Sequence, residues 1–190
     1  MEAQTTYQLL RHLASPIVVV TSSWSGVPNA MVSNSALRAS LTPAHPRILV
    51  LISKRNFTHD LILHSRAFAL HLLRKDQMET VWRFGFFSRR EREKMLPHEW
   101  EVHRTGSPIL KDALAFFDCQ VEMAVDTGPG TLFLGRVVEC APLSEGPLLT
   151  SDYFRKNMPP EWRPLYEAQL REAQRFAEDY LRRQGAPPHP

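Results

Sequence analysis

The run Phe117-Asp118-Cys119-Gln120-Val121-Glu122-Met123-Ala124-Val125 sets apolar side chains at every second position, the period of a strand with one face on a core. Leu132, Leu134, Val138 and Cys140 supply its partner. Between them Asp126-Thr127-Gly128-Pro129-Gly130, rich in turn formers, reads as a hairpin connection. Upstream, Pro16-Ile17-Val18-Val19-Val20-Thr21-Ser22 and Arg47-Ile48-Leu49-Val50-Leu51-Ile52 are β-branched or aliphatic runs too short for buried helices, so both read as core strands. Trp24-Ser25-Gly26-Val27-Pro28 is a turn, and Asn29 to Leu41 a further extended segment of alternating small and apolar residues.

Helices interrupt these strands without a regular rhythm. A short helical start covers Tyr7 to Leu13, Thr58 is positioned to cap a helix carrying Leu61, Ile62 and Leu63, and Asp76 opens an amphipathic helix through Phe84. Ala67 to Leu73 lies between the last two as a strand, and Phe86 to Trp100 is a charged, irregular loop. From Glu161 to Arg183 one helical face carries Leu165, Gln169, Leu170, Ala173, Phe176, Ala177, Tyr180 and Leu181. Glu167 with Arg171 and Glu178 with Arg182 lie four apart on the other face. Roughly five or six strands with a few short helices and no strand–helix alternation point to a mainly β, closed or half-closed antiparallel barrel with flanking helices. A doubly wound dinucleotide fold would need the absent GxGxxG.

With 190 residues and 43% hydrophobic content, the chain is the size of one domain with a useful core. The longest aliphatic runs fall far short of the roughly 20 residues of a spanning helix, and Met1-Glu2 lacks a signal peptide's basic start, so a cytoplasmic location is expected. A formal net charge of +3 is interleaved rather than striped, as in Arg89-Arg90-Glu91-Arg92-Glu93-Lys94, which argues against a nucleic-acid surface. Cys119 and Cys140 have no metal spacing and read as buried free thiols. The eight histidines form no spaced triad with carboxylates, so no metal site is expected. No GxSxG marks a nucleophile.

Two stretches carry chemistry. Ser53-Lys54-Arg55-Asn56-Phe57-Thr58 follows a buried strand and enters a helix. Its hydroxyls, two cations and the free amides of a helix start suit a phosphate monoester, although a solvated basic turn has the same composition. Asn29-Ala30-Met31-Val32-Ser33-Asn34-Ser35-Ala36-Leu37-Arg38-Ala39-Ser40-Leu41 repeats small side chains that let a flat heteroaromatic ring approach the backbone, or that simply face a crowded barrel interior.

At these stretches the sequence resembles the flavin reductase-like, FMN-binding split-barrel family. Asn29-Ala30-Met31, Asn34-Ser35 and Ser40-Leu41-Thr42-Pro43 match its first pattern, and Ser53 through Ile62 its phosphate turn. Thr105 through Ala113 resembles its Gly-x-Pro-x-Leu segment, and Thr131-Leu132-Phe133-Leu134-Gly135-Arg136-Val137 its final Phe-x-Gly-x-Val strand. The match runs collinearly over residues 10 to 142. The resemblance implies a split β-barrel of Greek-key type over residues 1–150, with 151–190 a C-terminal helical appendage ending in a Pro-rich tail.

It also implies a homodimer that binds FMN and passes a hydride from NADH or NADPH to flavin, with a monooxygenase or other electron acceptor as partner. Val32, Ser33, Asn34 and Ser35 would face the isoalloxazine ring. Ser53, Lys54, Arg55, Asn56 and Thr58 would hold the phosphate and ribityl chain, and Phe87, Ser88 and Lys94 would belong to a closing segment. The pattern departs at Gly130-Thr131, where many such reductases carry a histidine. The flavin itself does the redox chemistry, so the departure bears on nicotinamide recognition and leaves a flavoredoxin-like electron-transfer protein as the alternative.

Overall fold

The computed structural model describes Leu10, Leu13 and residues 15–87 and 93–185. Most of the helical start expected over Tyr7 to Leu13, Ser88, and the tail Pro187-Pro188-His189-Pro190 lie outside the described residues. The strands are β1 (Val18–Trp24), β2 (Val27–Ser33), β3 (Ala36–Arg38), β4 (Arg47–Ser53), β5 (Ala67–Leu72), β6 (Trp100–Val102), β7 (Pro108–Leu110), β8 (Ala115–Asp126) and β9 (Gly130–Pro142). The helices are α1 (Phe57–Ser65), α2 (Met78–Gly85), α3 (Ser151–Asn157) and α4 (Arg163–Arg183).

Seven strands make one antiparallel sheet in the order β2-β1-β5-β8-β9-β4-β3, and β6 with β7 forms a separate hairpin. The sheet curls until β2 nears β4, giving the mainly β split barrel with flanking helices that the sequence predicts. The strand count exceeds the expected five or six because the stretch from Asn29 to Leu41 divides and because Trp100–Val102 and Pro108–Leu110 form the β6–β7 hairpin. The first part of the divided stretch is β2 at one edge and its second is β3 at the other, so the chain crosses the open seam between Ser33 and Ala36.

The continuous aliphatic character of β1 has a simple cause: both faces are covered. Val18 and Val20 point into the barrel with Ile52, Phe68 and Phe133, while Val19 points outward into a second core with Val81, Phe84, Leu149, Phe154 and Trp162. The β1–β2 hairpin closes through Ser25 and Gly26, whose φ values of 51° and 76° suit a two-residue primed turn. On β9, Gly135 makes room for the ring of Phe68, since a Cβ there would lie 2.6 Å from Phe68 Cζ. That contact accounts physically for a glycine inside an otherwise apolar strand.

Three helix starts are displaced from the sequence expectation. Asn56, not Thr58, occupies the N-cap of α1, Gln77 that of α2, and a single 3-10 turn, Pro160–Trp162, precedes α4. Cys119 is buried as expected, but Cys140 is exposed because it lies near the end of β9. The exposed face of α4 keeps Glu167 with Arg171, whereas Arg182 turns to Asp179 rather than Glu178.

His71 pins the second core to the sheet. Its ring is fully buried, Nδ1–H donates to the Val19 carbonyl at 3.2 Å, and Nε2 accepts the Leu110 amide at 3.0 Å. Burial disfavours the imidazolium and pulls its pKa down to about 4, against a weaker opposing effect of the Val19 carbonyl. The unfolded chain takes up that proton near pH ~6.5, so the stabilisation is present above that pH and is lost as pH falls toward about 4. We predict that urea unfolding loses about 3 kcal/mol from this group between pH 7.5 and 4 in the wild type. The His71→Gln variant should show a correspondingly flatter pH dependence, and equal slopes would contradict this role.

Candidate functional site at the barrel seam

The β4–β9 ladder determines where the candidate turn emerges. Seven residue pairs run from Arg47↔Arg136 to Ser53↔Gly130, and the Lys54 amide adds a bond to the Pro129 carbonyl at 3.0 Å. The chain then turns through Asn56 N–H to Ser53 C=O at 3.0 Å, with Arg55 N–H directed to Ser53 Oγ at 3.4 Å. Asn56 is extended and its side chain makes no cap bond; the His59 amide bonds back to the Asn56 carbonyl at 2.9 Å, which leaves the Phe57 and Thr58 amides as the donors that a helix start presents. Together with the positive end of the helix dipole, these donors favour an anion.

The cations of this turn already have partners. Lys54 Nζ donates to both carboxylate oxygens of Asp126, at 2.8 and 2.9 Å, and to the Tyr180 hydroxyl at 2.8 Å. Asp126 foremost, then Tyr180, holds the Lys54 ammonium above the usual lysine range. Lys54 in turn, with the Gly128 amide, pulls the Asp126 carboxyl down. Arg55 Nη2 meets Glu172 Oε2 at 2.9 Å. Thr58, expected as a phosphate ligand, is fully buried, and its Oγ1 accepts from Asn29 Nδ2 at 2.8 Å. Asn29 Oδ1 has no hydrogen-bond partner among the described residues, a buried acceptor directly beneath the turn.

The second stretch crosses the seam. Ser33 Oγ accepts the Ser35 amide at 3.1 Å, Ser15 Oγ donates to the Asn34 carbonyl, and the Leu51 amide bonds to the Ser35 carbonyl at 3.1 Å. Leu51 lies two residues before Ser53, so the crossing segment and the turn share one end of β4. Val32 is half-buried and packs on the end of α2, where a Cβ on Gly85 would lie 3.2 Å from Val32 Cβ. Asn34 and Ser35 are exposed.

Lys94 ties these pieces together from below. It is buried, and its ammonium donates to the carbonyls of Ala30 at 2.8 Å and Phe84 at 3.2 Å. Phe87 packs edge-on to Trp82 with ring centroids 5.3 Å apart, and Trp82 stacks on Trp162 at 4.7 Å. Ser88 lies outside the described residues. The crossing segment and the Ser53–Asn56 turn thus meet at the end of β4, while Phe87 packs on Trp82 at the second core and Thr58 and Lys94 are engaged in the protein interior.

Sequence reasoning missed Asn29, Asp126, Glu172 and Tyr180 as neighbours of the turn. Asp126 and Tyr180 stand 72 and 126 residues from Lys54, beyond any local pattern. At Thr131, where the family pattern departs, the hydroxyl meets His59 Nε2 of α1 at 2.8 Å. A hollow of about 510 Å³ beside α2 is lined by Arg83 and Glu99, which pair with each other at 2.6 Å, and by Asp112, which pairs with Arg74 at 3.0 Å. Among the described residues no three His, Cys, Asp or Glu side chains converge on a metal position, and no helix is long and apolar enough to cross a membrane.

Comparison with known proteins gives these features a context. Residues 10–159 match the flavin reductase like domain. A ferric-chelate reductase (NAD(P)H) of Archaeoglobus fulgidus is 30% identical over 155 residues, covering 79% of this chain and 90% of that protein. The flavin-dependent monooxygenase reductase subunit HsaB of Rhodococcus jostii is 30% identical over 172 residues, 85% and 84% of the two chains. Against a high molecular weight rubredoxin of Moorella thermoacetica, 28% identical, the chain spans only 64% of the relative's length. Among solved structures, BorF, the flavin reductase component of a bacterial two-component tryptophan halogenase, superposes with a TM-score of 0.66 at 27% identity, over 78% of this chain and 92% of that one. The crossing segment, the turn and the β9 strand all fall within the matched region, and the chain belongs to the flavin reductase like domain family.

Proposed function

We propose that the protein is an NAD(P)H-dependent flavin reductase that takes FMN at the barrel seam. The observation that carries this reading is the shared end of β4: a bridge of small residues and a cationic helix start lie two to three residues apart along one strand. That spacing suits a ligand with a flat ring and a terminal phosphate. The fit is supported by the uncapped first turn of α1 and by two cations with fixed orientations. In this reading Ser53, Lys54, Arg55, Asn56 and the first amides of α1 hold the phosphate and ribityl chain. Val32, Ser33, Asn34 and Ser35 line the ring, while Phe87 borders its outer side. Thr58 and Lys94 act from beneath, Thr58 through Asn29 and Lys94 by fixing β2 against α2.

The chemistry supplied by bound flavin is acceptance of a hydride from NADH or NADPH and its delivery to free flavin or another acceptor. The protein's own part is to orient the ring and neutralise the phosphate. The names of HsaB and BorF as reductase components support a partner monooxygenase or similar acceptor. NAD(P)H as donor supports a cytoplasmic location. A flavoredoxin-like electron carrier is the second reading, favoured by Thr131 at the position of the family's histidine and by the burial of the His59 that meets it.

A second copy of the chain is the proposed occupant of one sheet face. Cross-strand partners Leu37, Leu49, Leu134 and Met123, with Leu51, Leu132 and Val125, form an apolar patch on the side of the sheet opposite the barrel interior. Leu37, Leu51, Met123 and Val125 are exposed in the single chain. At the patch border Glu122 pairs with Arg47 at 2.6 Å and Arg136 at 3.5 Å, an apolar centre with a polar rim. The apolar face of α4 lies instead against its own chain, near Phe86 and Gly128.

Three outcomes test the proposal. Under anaerobic conditions, protein with FMN should lose the visible flavin band on adding NADH or NADPH; a band that persists with both donors favours the carrier reading. The double substitution Lys54→Ala, Arg55→Ala should weaken FMN binding at least about tenfold and leave riboflavin nearly unchanged, since charge-assisted phosphate contacts are the interactions removed. Equal losses would remove the phosphate from this turn. Sedimentation should give twice the 21.8 kDa chain mass for the wild type and the single-chain mass for Leu51→Arg, and a monomeric wild type would overturn the dimer.

A further inference from the structure

α4 lies outside the region matched by the family, yet it spans the candidate site. Its first turn is anchored: Trp162, just before it, is buried and stacked on Trp82, and Tyr166 lies 6.2 Å from Phe86 between ring centroids. Farther along, Glu172 meets Arg55, Tyr180 meets Lys54, and Leu181 lies 3.4 Å from where a Cβ on Gly128 would stand. No residue of α4 is fully buried, so the helix is held at one end by aromatic packing and along its length by half-buried and polar contacts. Its far half makes polar contacts with the two cations that the phosphate turn offers.

We infer that α4 is an intramolecular competitor of the flavin phosphate, with the Glu172 carboxylate occupying Arg55 and the Tyr180 hydroxyl occupying Lys54 until the phosphate displaces them. The inference rests on the phosphate assignment above. Its physics is an exchange of ion pairs. Arg55 gives up a monoanionic carboxylate whose side chain is 59% exposed and gains a more highly charged phosphate able to accept two parallel guanidinium bonds. An exposed carboxylate pair is worth little, so the exchange runs toward phosphate while Glu172 still lowers its net gain. Glu172 also repels a phosphate held beside it. Cofactor affinity is therefore set by a helix that contributes nothing to the barrel core, and the flavin stays exchangeable. Asp126, on the β8–β9 hairpin, remains with Lys54 through the exchange and keeps that ammonium in place.

The test uses the full chain, with FMN and riboflavin titrated by flavin fluorescence into the wild type, Glu172→Gln, Tyr180→Phe and Arg55→Ala. Glu172→Gln should bind FMN about three- to tenfold more tightly, with a smaller gain for Tyr180→Phe, no change for riboflavin, and a gain that shrinks as salt rises. FMN but not riboflavin should also hasten tryptic cleavage of the wild type at Arg171 and Arg175. If Arg55→Ala selectively weakens FMN while Glu172→Gln leaves FMN binding unchanged or weaker, the competition is overturned and α4 is a fixed wall of the phosphate site. Slower cleavage with FMN likewise overturns it, because the helix then closes on the ligand. If Arg55→Ala affects FMN and riboflavin equally, the phosphate assignment fails and the competition fails with it.

Discussion

The ladder between β4 and β9 is the constraint on which the rest of the site depends. It runs in register to Ser53↔Gly130 and is extended by the Lys54 amide on Pro129, so the chain leaves the sheet at a fixed point with a fixed direction. Everything that follows inherits that geometry: the start of α1, the positions of Lys54 and Arg55, and the reach of Asp126 from the adjoining hairpin. Gly135 serves the same ladder from inside the barrel, since only a residue without a side chain lets the Phe68 ring seat against β9. The site is a consequence of strand register more than of loop conformation. A slip of one residue would turn Val50, Ile52 and Phe133 out of the core and carry the turn with them.

The seam is the second consequence. A sheet whose edge strands β2 and β3 do not pair is bridged by the chain at Ser33, Asn34 and Ser35, where Ser33 Oγ accepts the Ser35 amide and Ser35 Oγ donates to Asn34 Oδ1. Lys94 matters here in a way its charge alone does not suggest. A buried ammonium is costly unless its donors are satisfied, and the Ala30 and Phe84 carbonyls use it to lock β2 to the end of α2. The β2 side of the seam is therefore held in place against α2.

Most of the barrel was legible because its signals are local and repeated. The alternation of Phe117 to Val125, the turn formers at Asp126 to Gly130 and the aliphatic run of β1 each specify their own strand. The division of Asn29 to Leu41 was not legible, since nothing local says that a segment changes sheet edges at Asn34. Nor was α3, whose short span packs on the second core through Tyr153 and Phe154. At the site, the cations and the helix start were readable, but Thr58 was drawn inward by Asn29, a contact no spacing announces. The apolar face of α4 was readable from its period, while its charged engagement with the turn was not, because Glu172 and Tyr180 find Arg55 and Lys54 only after the barrel has folded.

In the proposed function, the exit of β4 into α1 holds the phosphate of a flavin. The most direct measurement is the amide chemical-shift response of Arg55, Phe57 and Thr58 to saturating FMN, compared with saturating riboflavin, in the intact protein. These amides should shift strongly with FMN and little with riboflavin, together with common shifts near Ser33 and Ser35 from the shared ring. Equal responses of Arg55, Phe57 and Thr58 to the two ligands, or no response to FMN, would contradict that assignment.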